Sequence, residues 1–261
     1  MAEIDNRYAR MRPGARTDVA VDEGLRAYML RVYNYMAGGV LVTGLVAYVV
    51  YSMAVTTDPA LAARAGLALK RGLYLTPFGA ALYLSPLKWL VMLAPLGFVL
   101  LFSVRIQKMS PASAQLLYWA FAACMGLSLS TIFIAYTHAS VARVFFITAG
   151  TFAGMSLYGY TTKRDLAGMG SFMFMGLIGL ILASLVNIFL QSSALQFALS
   201  VIGVVVFVGL TAWDTQRIKE MYVEGEDAAT GTKKAIFGAL QLYLDFINLF
   251  IMLLQLLGNR R

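Results

Sequence analysis

Seven apolar runs dominate this chain, each close to the length a helix needs to cross a lipid bilayer. A hydrocarbon core about 30 Å thick takes about 20 apolar residues per helix. Such runs lie near 32–54, 87–104, 115–136, 141–162, 169–190, 197–217 and 237–257. Only 13% of the 261 residues are charged, whereas soluble domains carry roughly 25%, so a water-facing surface could not be covered. The expected fold is therefore all-α and integral to a membrane, with seven transmembrane helices. The 87–104 run holds Pro95, which should kink it. Residues 57–86 have their apolar character broken by Arg64, Lys70, Arg71, Pro77 and Pro86. That stretch reads as an interfacial segment, not an eighth span.

Three regions follow. Residues 1–30 are polar and mixed in charge and lack the apolar core of a signal peptide, so they read as a partly disordered cytoplasmic tail. Residues 31–258 form the transmembrane domain, and 259–261 a short basic C-terminus. The net charge of +8 comes from 21 Lys and Arg against 13 Asp and Glu. These basic residues are scattered at segment ends rather than gathered on one face, which argues for topology and against nucleic-acid binding. On the N-terminal side lie 14 of them: Arg7, Arg10, Arg12, Arg16, Arg26, Arg31, Arg105, Lys108, Lys163, Arg164, Arg217, Lys219, Lys233 and Lys234. The other side has 7: Arg64, Lys70, Arg71, Lys88, Arg143, Arg260 and Arg261. The excess places the N-terminus in the cytoplasm and the C-terminus outside. The one cysteine, Cys124, sits in an apolar run and excludes an intrachain disulfide.

Ionisable residues inside a span are costly, from about 2.5 kcal/mol upward, and mark functional sites. The first five spans hold none at their centres; Asp214 and Asp245 are the exceptions in the last two. In the last span Gln241, Asp245, Asn248, Met252 and Gln255 fall within a stripe about 80° wide on one helix face. Polar groups cannot face lipid, so this face must meet other helices or water, and the last helix should be central in the bundle. Asp214 closes the sixth span, with Thr211 nearly one turn before it. Asp245 lies ~12 Å into its own span, on the same side of the membrane. The plainer reading of Asp214 is an interfacial helix-end residue beside Arg217 and Lys219. His138 reads as an exposed loop residue, and Asn187 as an interhelical hydrogen bonder. The pair Gly150 and Gly154 has the spacing that lets membrane helices approach closely.

Two carboxylates in one low-dielectric site cannot both ionise cheaply, so the pair should share a proton and respond to cytosolic pH. The same oxygens suit a divalent cation, and Arg105, at the cytoplasmic end of the second span, is the candidate positive partner. Two aspartates on adjacent spans could also form an acid–base dyad. Intramembrane aspartyl proteases carry Gly-x-Gly-Asp, however, and residues 242–245 read Leu-Tyr-Leu-Asp. No enzymatic activity is expected. A retinal protein needs a lysine in the last span, and 237–257 has none.

The segments AWDTQRIK (212–219) and ALQLYLDFINLFIMLLQLLG (239–258) resemble the Bax inhibitor 1 family in its bacterial branch. The similarity extends over roughly 85–258. The resemblance implies a seven-helix fold in the bacterial inner membrane, with the last helix surrounded by six others. It further implies a pH-sensitive calcium leak gated by an aspartate pair, here Asp214 and Asp245. An arginine that latches to the pair in some members maps to Arg105, and Gln241, Asn248 and Thr211 become candidate pore-lining residues. Asp214 and Asp245 are also the candidate calcium ligands, calcium being cargo rather than a resident cofactor. Some relatives carry an acid in the second span, but 87–104 has none. Bacterial members are also described as restraining a membrane-anchored ATP-dependent protease. That gives an alternative role as a regulatory partner of protease or stress and cell-death machinery, with the basic N-terminal tail as the contact.

Overall fold

The computed structural model describes residues 13–58 and 72–260. Among these, seven helices are long and apolar enough to cross a membrane. The first, α1, is Pro13–Ala54. A two-residue antiparallel pairing of β1 (Val55–Thr56) with β2 (Tyr74–Leu75) follows, then the short helix α2, Pro77–Leu84. The second span is α3, Leu87–Arg105, continued by a 3₁₀ turn over Ile106–Lys108. The third is α4, Pro111–Leu129, extended after a break by α5, Ile132–Ala135. The remaining spans are α6 (His138–Thr161), α7 (Ala167–Leu190), α8 (Ser193–Glu220) and α9 (Ala228–Leu257).

Helices outrun the apolar runs because their starts are set by side-chain caps. Ser110, Thr137, Ser192 and Asp227 each accept a backbone N–H three residues on, satisfying a donor that the helix leaves unpaired. The last helix thus begins at Ala228, nine residues ahead of the apolar run that starts at 237. At its other end α1 is helical from Pro13, so the described part of the expected tail, 13–30, is an ordered continuation of the first span. Tyr28 and Met29 are buried there, and Tyr28 packs against Tyr222, its ring 5.8 Å away. Residues 1–12 lie outside the described residues, as do 59–71 and Arg261. In the described remainder of 57–86, α2 has eight residues, too short to cross. The α3 helix runs unbroken through Pro95, which is buried.

The last helix is the core. In its apolar window 67% of residues are buried, against 44% in α8 and 28% or less in the others. It packs chiefly on α1, α4, α6 and α8. The second span leans on the third and the fifth on the sixth. The centre is therefore ringed by four helices, with two more outside them, rather than by six equally. Close approach occurs at Gly159, where an added Cβ would sit 2.1 Å from the Ala212 carbonyl oxygen, and at Gly170, 2.1 Å from the Trp213 ring. Gly150 and Gly154 have nothing within 4 Å. Both face outward, so their spacing marks lipid-exposed surface, not a helix contact.

Candidate functional site

The sixth and seventh spans meet along the polar stripe of α9, where all but Gln241 of the stripe residues find α8 or their own helix. At one end Gln255 accepts from Gln196 Nε2 at 2.7 Å and from Ser200 Oγ at 2.8 Å. Met252 lies over Gly203. Asn248 donates to its own helix at the Leu244 carbonyl, 2.9 Å. At the other end the carboxyls of Asp245 and Asp214 are in hydrogen-bonding contact across the two helices. Such a contact needs one proton between two carboxyls. Asp245 is 5% exposed, while Asp214 is half-buried and opens toward the N-terminal side. Two acceptors here are buried without a partner, Asp245 Oδ2 and Gln241 Oε1.

Thr211 is fully buried and spends its hydroxyl on the Phe207 carbonyl at 2.7 Å. Arg105 is exposed at the end of α3 and forms no ion pair among the described residues. The positive charge acting on Asp214 is Arg217, one turn along the same helix, whose guanidinium lies 5.5 Å from the Trp213 ring centre. His138 is exposed but is the first residue of α6 rather than a loop residue, its ring within 5.3–6.4 Å of those of Tyr51, Phe133 and Tyr48. Asn187 is buried and bridges α7 to α8, donating to Gln196. Cys124 is half-buried and free. Among the described residues no three His, Cys, Asp or Glu gather, so the two carboxylates and Gln241 are the oxygen donors available to a cation here.

A chain of hydroxyls beside the pair escaped the sequence reading. Tyr33 OH and Ser156 Oγ are 2.7 Å apart, and Ser156 Oγ and Thr215 Oγ1 are 2.9 Å apart. Thr215 gives its proton to the Thr211 carbonyl at 2.7 Å. Ser156 must therefore donate to Thr215, and Tyr33 to Ser156. The chain ties α1, α6 and α8 together at the residue after Asp214. A second hydroxyl pair, Thr43 Oγ1 and Tyr243 OH at 2.6 Å, ties α1 to α9. Next along α8, Gln216 accepts from the Leu166 N–H and donates to the Arg164 carbonyl, both at 2.8 Å, clamping the α6–α7 loop. These groups are uncharged, so a search for ionisable residues passes over them. The one available signal was Ser, Thr and Tyr lying within otherwise apolar runs.

The comparisons with known proteins agree with this architecture. A family model described as "Inhibitor of apoptosis-promoting Bax1" matches residues 25–261, which adds the first span and the 57–86 segment to the region of similarity. The chain is 46% identical over 240 residues to the inner membrane protein YbhL of Escherichia coli K12, covering 91% of this chain and 94% of that one. It is 49% identical over 240 residues to the uncharacterized protein RP147 of Rickettsia prowazekii, covering 92% of each. A protein of Caulobacter vibrioides is 44% identical over 263 residues, the full length of both. With the seven apolar helices, these likenesses support a multi-pass inner membrane protein. The chain belongs to the Bax inhibitor family.

Proposed function

We propose that this protein is a pH-sensitive cation leak, with calcium as its ion, gated by Asp214 and Asp245. The observation that carries the reading is the carboxyl–carboxyl contact between α8 and α9, with Asp245 buried on its side of the seam. With a shared proton the contact holds the two helices together. Without it, two like charges ~4 Å apart repel by about 4 kcal/mol at an effective dielectric constant of 20. That is large for one helix seam, and a divalent cation would offset both charges. The unpartnered oxygens of Asp245 and Gln241 are suited to a hard cation. Thr211 and Asn248 flank the path once released from their own helices. With the N-terminus in the cytoplasm, as the basic residues favour, the pair responds to cytosolic pH and Arg105 waits at the same mouth as an alternative latch. The test is calcium flux into proteoliposomes as pH varies. Asp245→Asn should remove the pH dependence, and an unchanged flux with an unchanged pH profile rejects the gate.

A second reading, as a regulatory partner of a membrane-anchored protease, draws on the polar helical stretch from Pro13 that precedes the apolar run starting near 32. Deleting residues 2–22 leaves the Tyr28–Tyr222 contact in place. Undiminished co-purification of the deletion variant with such a protease counts against this stretch as the contact.

A further inference from the structure

The first and fourth spans are not closely packed on each other; both rest on the last helix, and a lateral groove opens between them. In the half of the membrane nearer the N-terminus this groove has a volume of about 630 Å³. Its walls are Met29, Tyr33 and Met36 of α1 against Phe152, Ser156 and Leu157 of α6. Along α1 it runs from Arg26 to Ala37, a rise of ~16 Å. That is about half of a 30 Å hydrocarbon core, the depth of a single leaflet.

The polar groups are distributed unevenly along it. On the floor, the Tyr33 and Ser156 hydroxyl protons are both committed inward along the chain to Thr215. No spare donor faces the groove there, so the floor suits an acyl chain and not a headgroup. The mouth is cationic. Arg26 is exposed and lines it, and Lys219 of α8 reaches the lining residue Tyr160, held on its carbonyl at 2.9 Å and 5.7 Å from its ring centre. Glu23 and Glu220 neighbour them in sequence, yet neither forms an ion pair with them. A slot one leaflet deep, apolar along its length and positive at its end, matches one kind of molecule.

We propose that this groove is a specific site for one anionic phospholipid of the leaflet on the N-terminal side. An acyl chain lies between α1 and α6, and the phosphate rests on Arg26 and Lys219. Because the floor ends at Thr215, the residue after Asp214, the occupied groove also braces the helix that carries the aspartate. The site stands whether or not the pair gates an ion, since its test reads lipid and not flux.

The full-length protein is reconstituted in nanodiscs of mixed phosphatidylglycerol and phosphatidylcholine, extracted gently, and its retained lipid identified by native mass spectrometry. Wild type should hold one phosphatidylglycerol in clear preference to phosphatidylcholine. Arg26→Gln should cut that preference about fivefold, the contribution of one basic residue at an anionic surface. Ala153→Trp, from an exposed position on the groove wall, should abolish retention of either lipid. Leu157→Trp, on the same wall, repeats the test in case one variant folds poorly, with helical content and thermal midpoint checking each. Equal retention of both lipids by wild type, or the same preference in all variants, means bulk lipid only and overturns the site.

Discussion

Asp245 is the one buried acid among the described residues, and its neighbours divide into those satisfied and those left open. A carboxyl this deep costs about 2.5–3.5 kcal/mol on insertion scales, and Asp214 is its partner across the seam. Gln241 Oε1 has none, and an unpaired buried acceptor costs about 1–3 kcal/mol. Gln241→Leu should therefore raise the thermal midpoint in detergent; if the oxygen serves a passing cation, calcium flux falls in the same variant. Ser156→Ala does the opposite. It strips Thr215 of a donor and Tyr33 of an acceptor in a buried place, and should lower stability by about 1–3 kcal/mol, measured as the shift in thermal unfolding. At the head of α9, the Thr230 hydrogen bonds hold the Asp227 carboxyl below its ordinary value. A depressed folded value means that the cap's contribution is complete above the ordinary carboxylate range, about 3.9, and is lost only as pH falls through the lower folded value. Asp227→Ala should therefore lower the unfolding midpoint at neutral pH, and Asp227→Ser should restore part of it. Once pH has fallen below that depressed folded value, aspartate and alanine variants should converge.

Among the elements, the seam between α6 and α8 leaves no room for a side chain at its closest point. Gly159 meets the backbone of Ala212, which cannot rotate away as a side chain can. Gly159→Ala should destabilise by about 1–3 kcal/mol, the usual cost of overpacking, whereas Gly154→Ala, facing outward with open space around it, should be close to neutral. Thermal unfolding of the two variants side by side decides it. Equal effects would mean that α6 does not approach α8 at Gly159. The clamp at Gln216 belongs to the same scale. By holding both Arg164 and Leu166, it fixes the α6–α7 loop to the helix that carries Asp214.

For the molecule as a whole, the two ends of the bundle are closed by different devices. At the N-terminal side α1 lies against the α8–α9 loop through the Tyr28–Tyr222 rings and against the start of α9 through the Arg31–Thr232 hydrogen bond. At the opposite side the chain end pairs with the α5–α6 corner. The Thr137 N–H donates to the Asn259 carbonyl at 3.1 Å, and the Asn259 N–H donates to Ser140 Oγ at 2.8 Å. We propose, from the distribution of basic residues, that the first end faces the cytoplasm. In a Cys124→Ser background, Glu224→Cys should therefore resist a membrane-impermeant thiol reagent in intact spheroplasts, and Arg260→Cys should react. The reverse labelling pattern would invert the orientation and place the aspartate pair at the outer mouth.

The sequence determined the seven spans, the central place of the last one and the burial of Asp245 on it. Each of these rests on hydrophobicity and helix period, which are local properties of a run of residues. Asn187 was legible for the same reason, since a polar side chain in an apolar run must find a partner. The tertiary structure decided what distance in sequence conceals. It set Asp214 against Asp245, two residues on different helices. It also moved the close helix approach from Gly150 and Gly154 to Gly159 and Gly170. Small residues permit approach wherever they occur, but only the packing of whole helices chooses which of them are used. The hydroxyl chain from Tyr33 to Thr215 joins three helices far apart in sequence. No periodicity within one span can announce a contact whose partners lie in two others.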